Sequence, residues 1–110
     1  MGVLDTPINA GHIELMPKGH CYLLSYKKRG VLYCGVTTNL AARVFAHQQS
    51  TASQFTAKYK ITRLVWYETY DLVTDAIQRE TNIKHWKRDW KLKLIEDFDP
   101  DWNDLYDGLG

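Results

Sequence analysis

The chain has 110 residues, 45% of them hydrophobic and 25% charged, which allows one globular domain with a single core. No apolar run approaches the ~20 residues needed to cross a bilayer, and the N-terminus lacks the charged-then-apolar pattern of a signal peptide. We therefore expect a cytoplasmic protein without membrane contact. Its two cysteines, Cys21 and Cys34, are too few and too widely spaced for a zinc ribbon or a CxxC pair, so we predict reduced thiols.

Charge is distributed unevenly along the chain. All fourteen Lys and Arg residues precede Ile95, and six of the thirteen acids fall in the last fifteen residues. Residues 1–95 therefore hold fourteen cations against seven acids, a net charge of +7. A basic body with an acidic tail is typical of nucleic-acid-binding proteins, but a solvated surface with a polar terminus gives the same pattern.

The first predicted elements form a hairpin. Residues 1–19 lack clear periodicity and are interrupted by prolines and a glycine, so we expect an irregular arm before a single domain of residues 20–107. Two β-like runs, HCYLLSY and VLYCGVT, follow on either side of the turn KKRG. That turn pairs Tyr22 with Gly35, and Leu24 with Tyr33.

The two tyrosines of this hairpin share one face. Side chains alternate along a strand, so Tyr22 and Tyr33 lie on a diagonal that long aromatic side chains can span. Gly35, opposite Tyr22, contributes no side chain and leaves a hollow there. Two phenols beside a hollow suit catalysis, although aromatic residues on a hairpin face more often belong to the core.

A helix and a loop follow the hairpin. The spacing of apolar residues predicts a helix over residues 39–49, and Thr37 or Thr38 is in position to cap it. The small polar residues of segment 50–55 then predict a loop.

The second half of the chain contributes one strand and more helix. The run LVWYETY predicts a strand over residues 62–70, and a helical pattern opens at Asp71. This pattern continues, as one helix or two, to Phe98, and the turn-rich tail offers Trp102, Leu105 and Tyr106 as anchors. The predicted fold is therefore α+β, a small three-stranded, mainly antiparallel sheet flanked by helices.

Two polar features interrupt the apolar faces of the helices. Arg43 and His47 stand at i and i+4 beside the stripe of Leu40 and Val44, where such a pair is usually solvated. Glu80 falls inside the apolar stripe of the long helix. Burying a carboxylate is costly unless a cation or a metal pairs with it, and a salt bridge to Arg43 or Lys84 is the simpler explanation.

A basic aromatic segment lies near the end of this helical pattern. Residues 84–93, KHWKRDWKLK, interleave five cations with Trp86 and Trp90. The four-residue spacing of the tryptophans predicts a buried stripe. The cations that this stripe leaves for solvent or phosphate are Lys84, Lys87, Arg88 and Lys91.

Together these motifs resemble the GIY-YIG nuclease superfamily, in particular its small stand-alone bacterial members, which are similar to the excision-repair nuclease domain. Tyr33-Cys34-Gly35 stands where the family has YIG, and TTNLAARVFAH is similar to the helix that carries its arginine, here Arg43. FTAKY, LVWYE and AIQRETNIKHWKR resemble the segments leading to the metal-binding glutamate, here Glu80. The resemblance covers residues 20–107. The first half-motif keeps only Tyr22 of GIY, and Val36 replaces a lysine of the excision-repair members.

The resemblance implies a DNA endonuclease that uses Mg²⁺ or Mn²⁺. It implies that Glu80 binds the metal and that Arg43 binds the scissile phosphate. It also implies that Tyr22 or Tyr33 orients or deprotonates the attacking water. His47 is implied as a proton relay. The cations expected to contact nucleic acid are Lys58, Lys84, Lys87, Arg88 and Lys91.

The substrate and the assembly state stay open at this stage. DNA is the expected partner, but its form stays open among duplex, branched, flapped, damaged and single-stranded DNA, and RNA is an alternative. A homodimer or a partner protein would supply a second cut. A different class of function, a non-catalytic DNA- or RNA-binding module on the same fold, fits the same residues. A structural protein with core tyrosines and a paired Glu80 is a third option.

Overall fold

The computed structural model describes residues 17–109, arranged as a three-stranded sheet with helices on both sides. The predicted N-terminal arm lies outside the described residues except for its last three. The elements in chain order are β1 (Gly19–Ser25), β2 (Leu32–Thr37), α1 (Leu40–Gln48), α2 (Gln54–Tyr59), β3 (Arg63–Tyr70), α3 (Val73–Lys84), α4 (Arg88–Phe98) and a short 3₁₀ helix (Leu105–Leu109). The predicted α+β fold is confirmed, and the three strand predictions agree with these bounds to within one residue.

The sheet has the order β2-β1-β3, and both pairings are antiparallel. The predicted hairpin register is confirmed, since Tyr22 lies opposite Gly35 and Leu24 lies opposite Tyr33. On its other side Tyr22 pairs with Tyr67 of β3. Because β1 is the central strand, its alternating side chains determine which residues face each layer of helices.

Two cores form on the opposite faces of this sheet. Tyr22 and Leu24 point into one core, where they pack with Leu40 and Val44 of α1. Cys21 and Leu23 point the other way, into a core built by α3, α4 and the tail. The members of this second core also include Val65, Trp66, Ile83, Leu92, Ile95 and Trp102.

The helix prediction that followed the hairpin needs two corrections. The cap of α1 is Asn39 rather than Thr37 or Thr38, since the Asn39 side chain accepts from the Ala42 amide at 3.1 Å. The predicted loop of residues 50–55 ends instead in α2, because Ser53 caps that helix. Six residues are too few to show a helical period in the sequence.

The helical pattern that opens at Asp71 divides into α3 and α4, so the alternative of a second helix is the correct one. Lys87 adopts an extended conformation between them, with φ of −63° and ψ of 149°. The predicted buried stripe is therefore wrong, because Trp86 and Trp90 do not share one helix. Trp86 is half-buried, Trp90 is 56% exposed, and their ring centroids lie 6.2 Å apart, edge to face.

Trp102 anchors the tail as predicted. Its side chain is fully buried in the second core, and its indole N–H donates to Glu96 at 2.8 Å. Leu105 and Tyr106 pack, partly buried, on the first core. Among residues 17–109 there is no helix long and apolar enough to span a membrane.

We predict that Trp102→Ala lowers the free energy of unfolding by about 3–5 kcal/mol, because it empties a buried site of indole size. Trp90→Ala is the matched control and should cost less than about 0.5 kcal/mol, since that ring is exposed. Urea denaturation followed by circular dichroism measures both values. Equal losses from the two variants would contradict the anchoring role.

Candidate active site

Tyr22 is fully buried at the centre of the sheet, with its ring over Gly35. A Cβ atom at position 35 would lie 2.5 Å from the Tyr22 hydroxyl oxygen, which is too close for any side chain. The hollow predicted opposite Tyr22 is thus filled by the end of the Tyr22 side chain. Glycine is required here because two groups approach closely.

His47 meets this phenol from α1. It lies on the buried side of the helix with Leu40 and Val44, where sequence had placed it beside that stripe. Its Nε2 atom is 3.0 Å from the Tyr22 hydroxyl oxygen, and its Nδ1 atom is 2.9 Å from the Thr56 hydroxyl oxygen. The usual solvated state of a helical Arg–His pair therefore does not apply to His47, which is fully buried.

Burial also determines the charge of His47. Loss of solvation, followed by the nearby positive charge of Arg43, lowers the pKa of His47 to about 4. The imidazole is therefore neutral at pH 7 and offers one N–H and one unprotonated nitrogen. A neutral imidazole in contact with a phenol can accept a hydrogen bond from it through the unprotonated nitrogen.

Tyr33 lies between this buried pair and the surface. Its half-buried ring is 5.3 Å from the His47 ring and 6.3 Å from the Tyr22 ring, between centroids. On its outer side it stacks on Phe55 at 6.4 Å, and Phe55 contacts Tyr59 at 5.0 Å. A row of rings thus leads from the buried hydroxyl to α2, where Phe55 and Tyr59 are exposed.

Phe55 and Thr56 contact Tyr33 and His47 but are not among the predicted site residues. Both belong to α2, and segment 50–55 was predicted to be a loop. The signal that was available is Ser53, a residue type that commonly caps helices. In the structure its side chain accepts from the Thr56 amide at 3.2 Å, which caps the first turn of α2.

Arg43 lies one helical turn before His47. It is half-buried, and its Nη2 atom donates to the Ala52 carbonyl at 2.9 Å, which ties α1 to the segment before α2. Arg43 also lines an open surface cleft of about 510 Å³ at the start of α1. Its guanidinium is therefore held by the Ala52 carbonyl, close enough to His47 to act on the pKa of that imidazole, and the residue borders an open cleft.

Glu80 is buried, as its place in the apolar stripe of α3 predicted. Its side chain is 1% exposed, and the Lys84 ammonium lies 2.6 Å from Oε2. The other oxygen, Oε1, is buried with no hydrogen-bond partner in the part of the chain that the structure describes. A salt bridge to a nearby cation was the simpler explanation for this carboxylate, and Lys84 provides it.

Glu80 lies on the other side of the sheet from Tyr22. On α3 it falls between Ala76, which packs with Val36, and Ile83, which packs with Cys21. The hydrogen bond with Cys34, burial and the negative charge of Glu80 all raise the pKa of Cys21. The structure therefore gathers the tyrosines and His47 on one face and places Glu80 against the opposite one.

The outer strand β2 separates these two groups. Tyr33 projects from one of its faces, and Val36 is buried on the other against α3. In residues 17–109 no three His, Cys, Asp or Glu side chains cluster closely enough to hold a metal ion. An ion at Glu80 would thus depend on one protein carboxylate, with water and substrate oxygens as its other ligands.

The cations expected to contact nucleic acid are scattered. Lys58 is exposed on α2, where its ammonium lies 5.3 Å from the centre of the Tyr59 ring. Lys87 is exposed before α4 and Lys91 is half-buried on it. Arg88 donates to the carbonyls of Arg29 and Gly30, at 2.6 and 3.0 Å, so it holds the hairpin turn. Lys84 pairs with Glu80.

The acidic residues are missing from a long part of the chain, which the net charge does not reveal. No acid occurs between Glu14 and Glu68, a segment that holds eight Lys and Arg residues and includes β1, β2, α1 and α2. The elements that carry Tyr22, Tyr33 and His47 therefore have no acidic side chain of their own. This distribution suits a polyanionic ligand.

The model of the GIY-YIG catalytic domain matches residues 18–93, about two thirds of the chain. The chain belongs to the GIY-YIG family. This match makes it a member of a nuclease family, with a domain of the kind that binds nucleic acid. His20 stands where the first half-motif of the family has its glycine. The strand pairing is regular at this position, with Thr37 and Thr69 as partners.

Small stand-alone GIY-YIG proteins are similar to the chain over most of their length. A UPF0213 protein of Staphylococcus haemolyticus is 34% identical over 74% of the chain and 99% of its own length. A UPF0213 protein of Staphylococcus saprophyticus is 32% identical over the same shares. One from Staphylococcus epidermidis is 35% identical over 62% of the chain and 83% of its own length. No solved structure gives a significant match.

We predict that the burial of His47 makes stability depend on pH. The groups that face it are Tyr22 of β1, Tyr33 of β2, Arg43 of α1 and Thr56 of α2. Between pH 6.5 and about 4 the unfolded chain binds a proton at this residue that the folded chain does not. The free energy of unfolding should therefore fall over that window as the pH drops, by on the order of 3 kcal/mol.

Urea denaturation at a series of pH values isolates this contribution when the protein is compared with His47→Gln, which should lack it. His85→Gln replaces an exposed histidine and should keep the full dependence. The same slope in all three proteins would show that His47 is not the group responsible.

Proposed function

We propose that the chain is a metal-dependent endonuclease that hydrolyses phosphodiester bonds of DNA, one strand at a time, in DNA repair or processing in the cytoplasm. The observation that carries the proposal is the buried hydrogen bond between Tyr22 and His47, one helical turn from Arg43. It lies within the residues that match the GIY-YIG catalytic domain. Hydrolysis needs a base for water, a cation for the phosphate and help for the leaving oxygen.

Tyr22, Tyr33 and His47 supply the acid–base groups. Tyr33 is the more exposed phenol, so it is the one positioned to orient the attacking water. A water that reaches the Tyr22 hydroxyl past the Tyr33 ring gives up its proton there, as the phenol proton passes to Nε2 of His47. The water oxygen bonds to phosphorus, the bond to the leaving oxygen breaks on the opposite side, and that oxygen takes a proton from solvent water. The proton on His47 then returns to Tyr22, which releases one proton to solvent. A pKa of about 4 favours this return from His47.

Arg43 and Glu80 supply the electrostatic groups. The Arg43 guanidinium binds the scissile phosphate, through two parallel hydrogen bonds where the geometry permits them. Glu80 is the residue that would hold Mg²⁺ or Mn²⁺, and its buried Oε1 without a hydrogen-bond partner among the described residues fits a cation. When bound, such an ion neutralises phosphate oxygens and makes a bound water more acidic. A phosphate that serves both groups has to lie across the outer edge of β2.

Two features favour a second function, a non-catalytic nucleic-acid-binding module. Lys84 already neutralises Glu80 at 2.6 Å. Val36, at a position where excision-repair members have a lysine, is buried with Val73 and Ala76. The charge distribution and the exposed α2 rings suit nucleic acid with or without cleavage, and RNA would satisfy the same contacts.

One site per chain nicks one strand, so a double-strand cut requires a homodimer or a partner protein.

We predict cleavage of supercoiled plasmid or of branched and flapped oligonucleotides that requires Mg²⁺ or Mn²⁺ and stops with EDTA. Glu80→Gln should reduce the rate by about 10²-fold or more, because the neutral amide cannot hold the ion. Asp75→Asn changes an exposed acid on the same helix and should keep full activity. Undiminished cleavage by Glu80→Gln removes Glu80 from the metal role, and DNA binding without cleavage under any ion supports the second function.

We further predict salt-dependent DNA binding by the Glu80→Gln protein, measured as fluorescence anisotropy of a labelled oligonucleotide. Lys58→Gln and Lys87→Gln should each reduce the slope of log K against log salt by about 0.9, if each cation neutralises one phosphate. Lys93→Gln is the control, since the Lys93 ammonium lies 3.1 Å from Asp97. An equal change of the slope in all three variants would indicate attraction by a diffuse positive charge rather than specific phosphate contacts.

A further inference from the structure

The Thr56 hydroxyl is a buried polar group that the mechanism above does not use. Thr56 is fully buried in the first turn of α2, and its Oγ1 atom lies 2.9 Å from His47 Nδ1. The same oxygen is 3.3 Å from the Ser53 carbonyl, to which it donates. His47 is therefore held between two hydroxyl groups, Tyr22 on one nitrogen and Thr56 on the other.

The number of available protons decides which way these bonds run. A threonine hydroxyl has one proton, and with that proton on the Ser53 carbonyl its oxygen can only accept. His47 Nδ1 must then carry the imidazole proton and donate it to Thr56. A neutral imidazole has no second N–H, so Nε2 presents a lone pair to Tyr22. The Tyr22 hydroxyl consequently donates to Nε2.

The backbone around Thr56 keeps its hydroxyl in place. The Thr56 amide donates to the Ser53 side chain at 3.2 Å, and the Thr56 carbonyl accepts from the Ile61 amide at 2.9 Å. Lys60 closes the helix in the left-handed conformation, with φ of 56°. The six residues of α2 thus form a small rigid unit that presents one hydroxyl to one ring nitrogen.

We propose that Thr56 is a positioning residue that fixes His47 in the tautomer protonated on Nδ1, so that Nε2 faces Tyr22 as a proton acceptor. The other tautomer would place an N–H against the Tyr22 oxygen, so that His47 could not accept the phenol proton. The effect of Thr56 on catalysis rests on the nuclease function proposed above. Its effect on the tautomer does not, and the two are measured separately.

Nitrogen NMR of the ¹⁵N-histidine-labelled protein at pH 7 tests the tautomer. The wild type should show His47 protonated on Nδ1, with Nε2 giving the signal of an unprotonated nitrogen. Thr56→Ser keeps the hydroxyl and should keep this pattern, whereas Thr56→Val removes it and should shift the population toward protonation on Nε2. A wild type protonated on Nε2 overturns the proposal, and this holds even if Thr56→Val fails to fold.

Cleavage kinetics test the consequence for catalysis. Thr56→Val should lower kcat about tenfold or more with little change in KM, because the residue acts on His47 and not on the substrate. Thr56→Ser should restore most of the loss. A valine variant with the altered tautomer and unchanged kcat overturns the positioning role. Absence of cleavage by the wild type would refute the proposed nuclease function, and the NMR pattern alone would then decide the tautomer assignment.

Discussion

The hydrogen bond between the Tyr22 hydroxyl and His47 Nε2 is the interaction on which the rest of the site depends. Burying a phenol or an imidazole without a partner costs about 1–3 kcal/mol per group, and both side chains are fully buried. Each satisfies the other at 3.0 Å. The bond requires glycine at position 35, because a side chain there would displace the hydroxyl. It also requires that α1 pack on the sheet with the His47 side chain pointing toward Tyr22.

The same constraint explains the arrangement of the neighbouring elements. His47 has a second nitrogen to satisfy, and α2 supplies Thr56 for it. Placing α2 against α1 brings Phe55 onto Tyr33, so aromatic rings lie between the buried pair and the exposed side of α2. The Arg43 guanidinium donates a hydrogen bond to the Ala52 carbonyl, in the segment that leads into α2. A short helix that connects two larger elements is therefore a structural part of the site.

A second buried polar group occupies the other face of the sheet. Glu80 is compensated by Lys84, yet one of its oxygens has no hydrogen-bond partner among the described residues. A structural ion pair alone is a weak reason to bury a carboxylate, because removal of its solvation offsets much of the attraction. The proposed metal ion, held by this carboxylate, would give the burial a function. The edge of β2 is where a phosphate would reach both faces.

Sequence patterns predicted the parts of the structure that depend on local periodicity. The position of the hairpin turn predicted the pairing of Tyr22 with Gly35, alternation along the strands predicted the shared face of Tyr22 and Tyr33, and helical spacing placed Glu80 inside a buried stripe. The burial of His47 was missed, because one helical turn does not show how the helix is rotated against the sheet. Trp90 was assigned to the core because no proline or glycine marks the break near Lys87. The face on which Glu80 lies depends on where α3 packs, which no local pattern contains.

The proposed nuclease function requires that one phosphate reach residues on both faces of the sheet, Arg43 on one face and Glu80 on the other. Crystals of the wild-type protein with Mn²⁺ and an oligonucleotide carrying a non-cleavable phosphonate linkage would locate the metal by its anomalous scattering. The account predicts one Mn²⁺ at the Glu80 carboxylate, bound to a phosphonate oxygen of a group that also contacts Arg43. A phosphonate seated beside Tyr22 and Arg43 with no metal at Glu80 would contradict it.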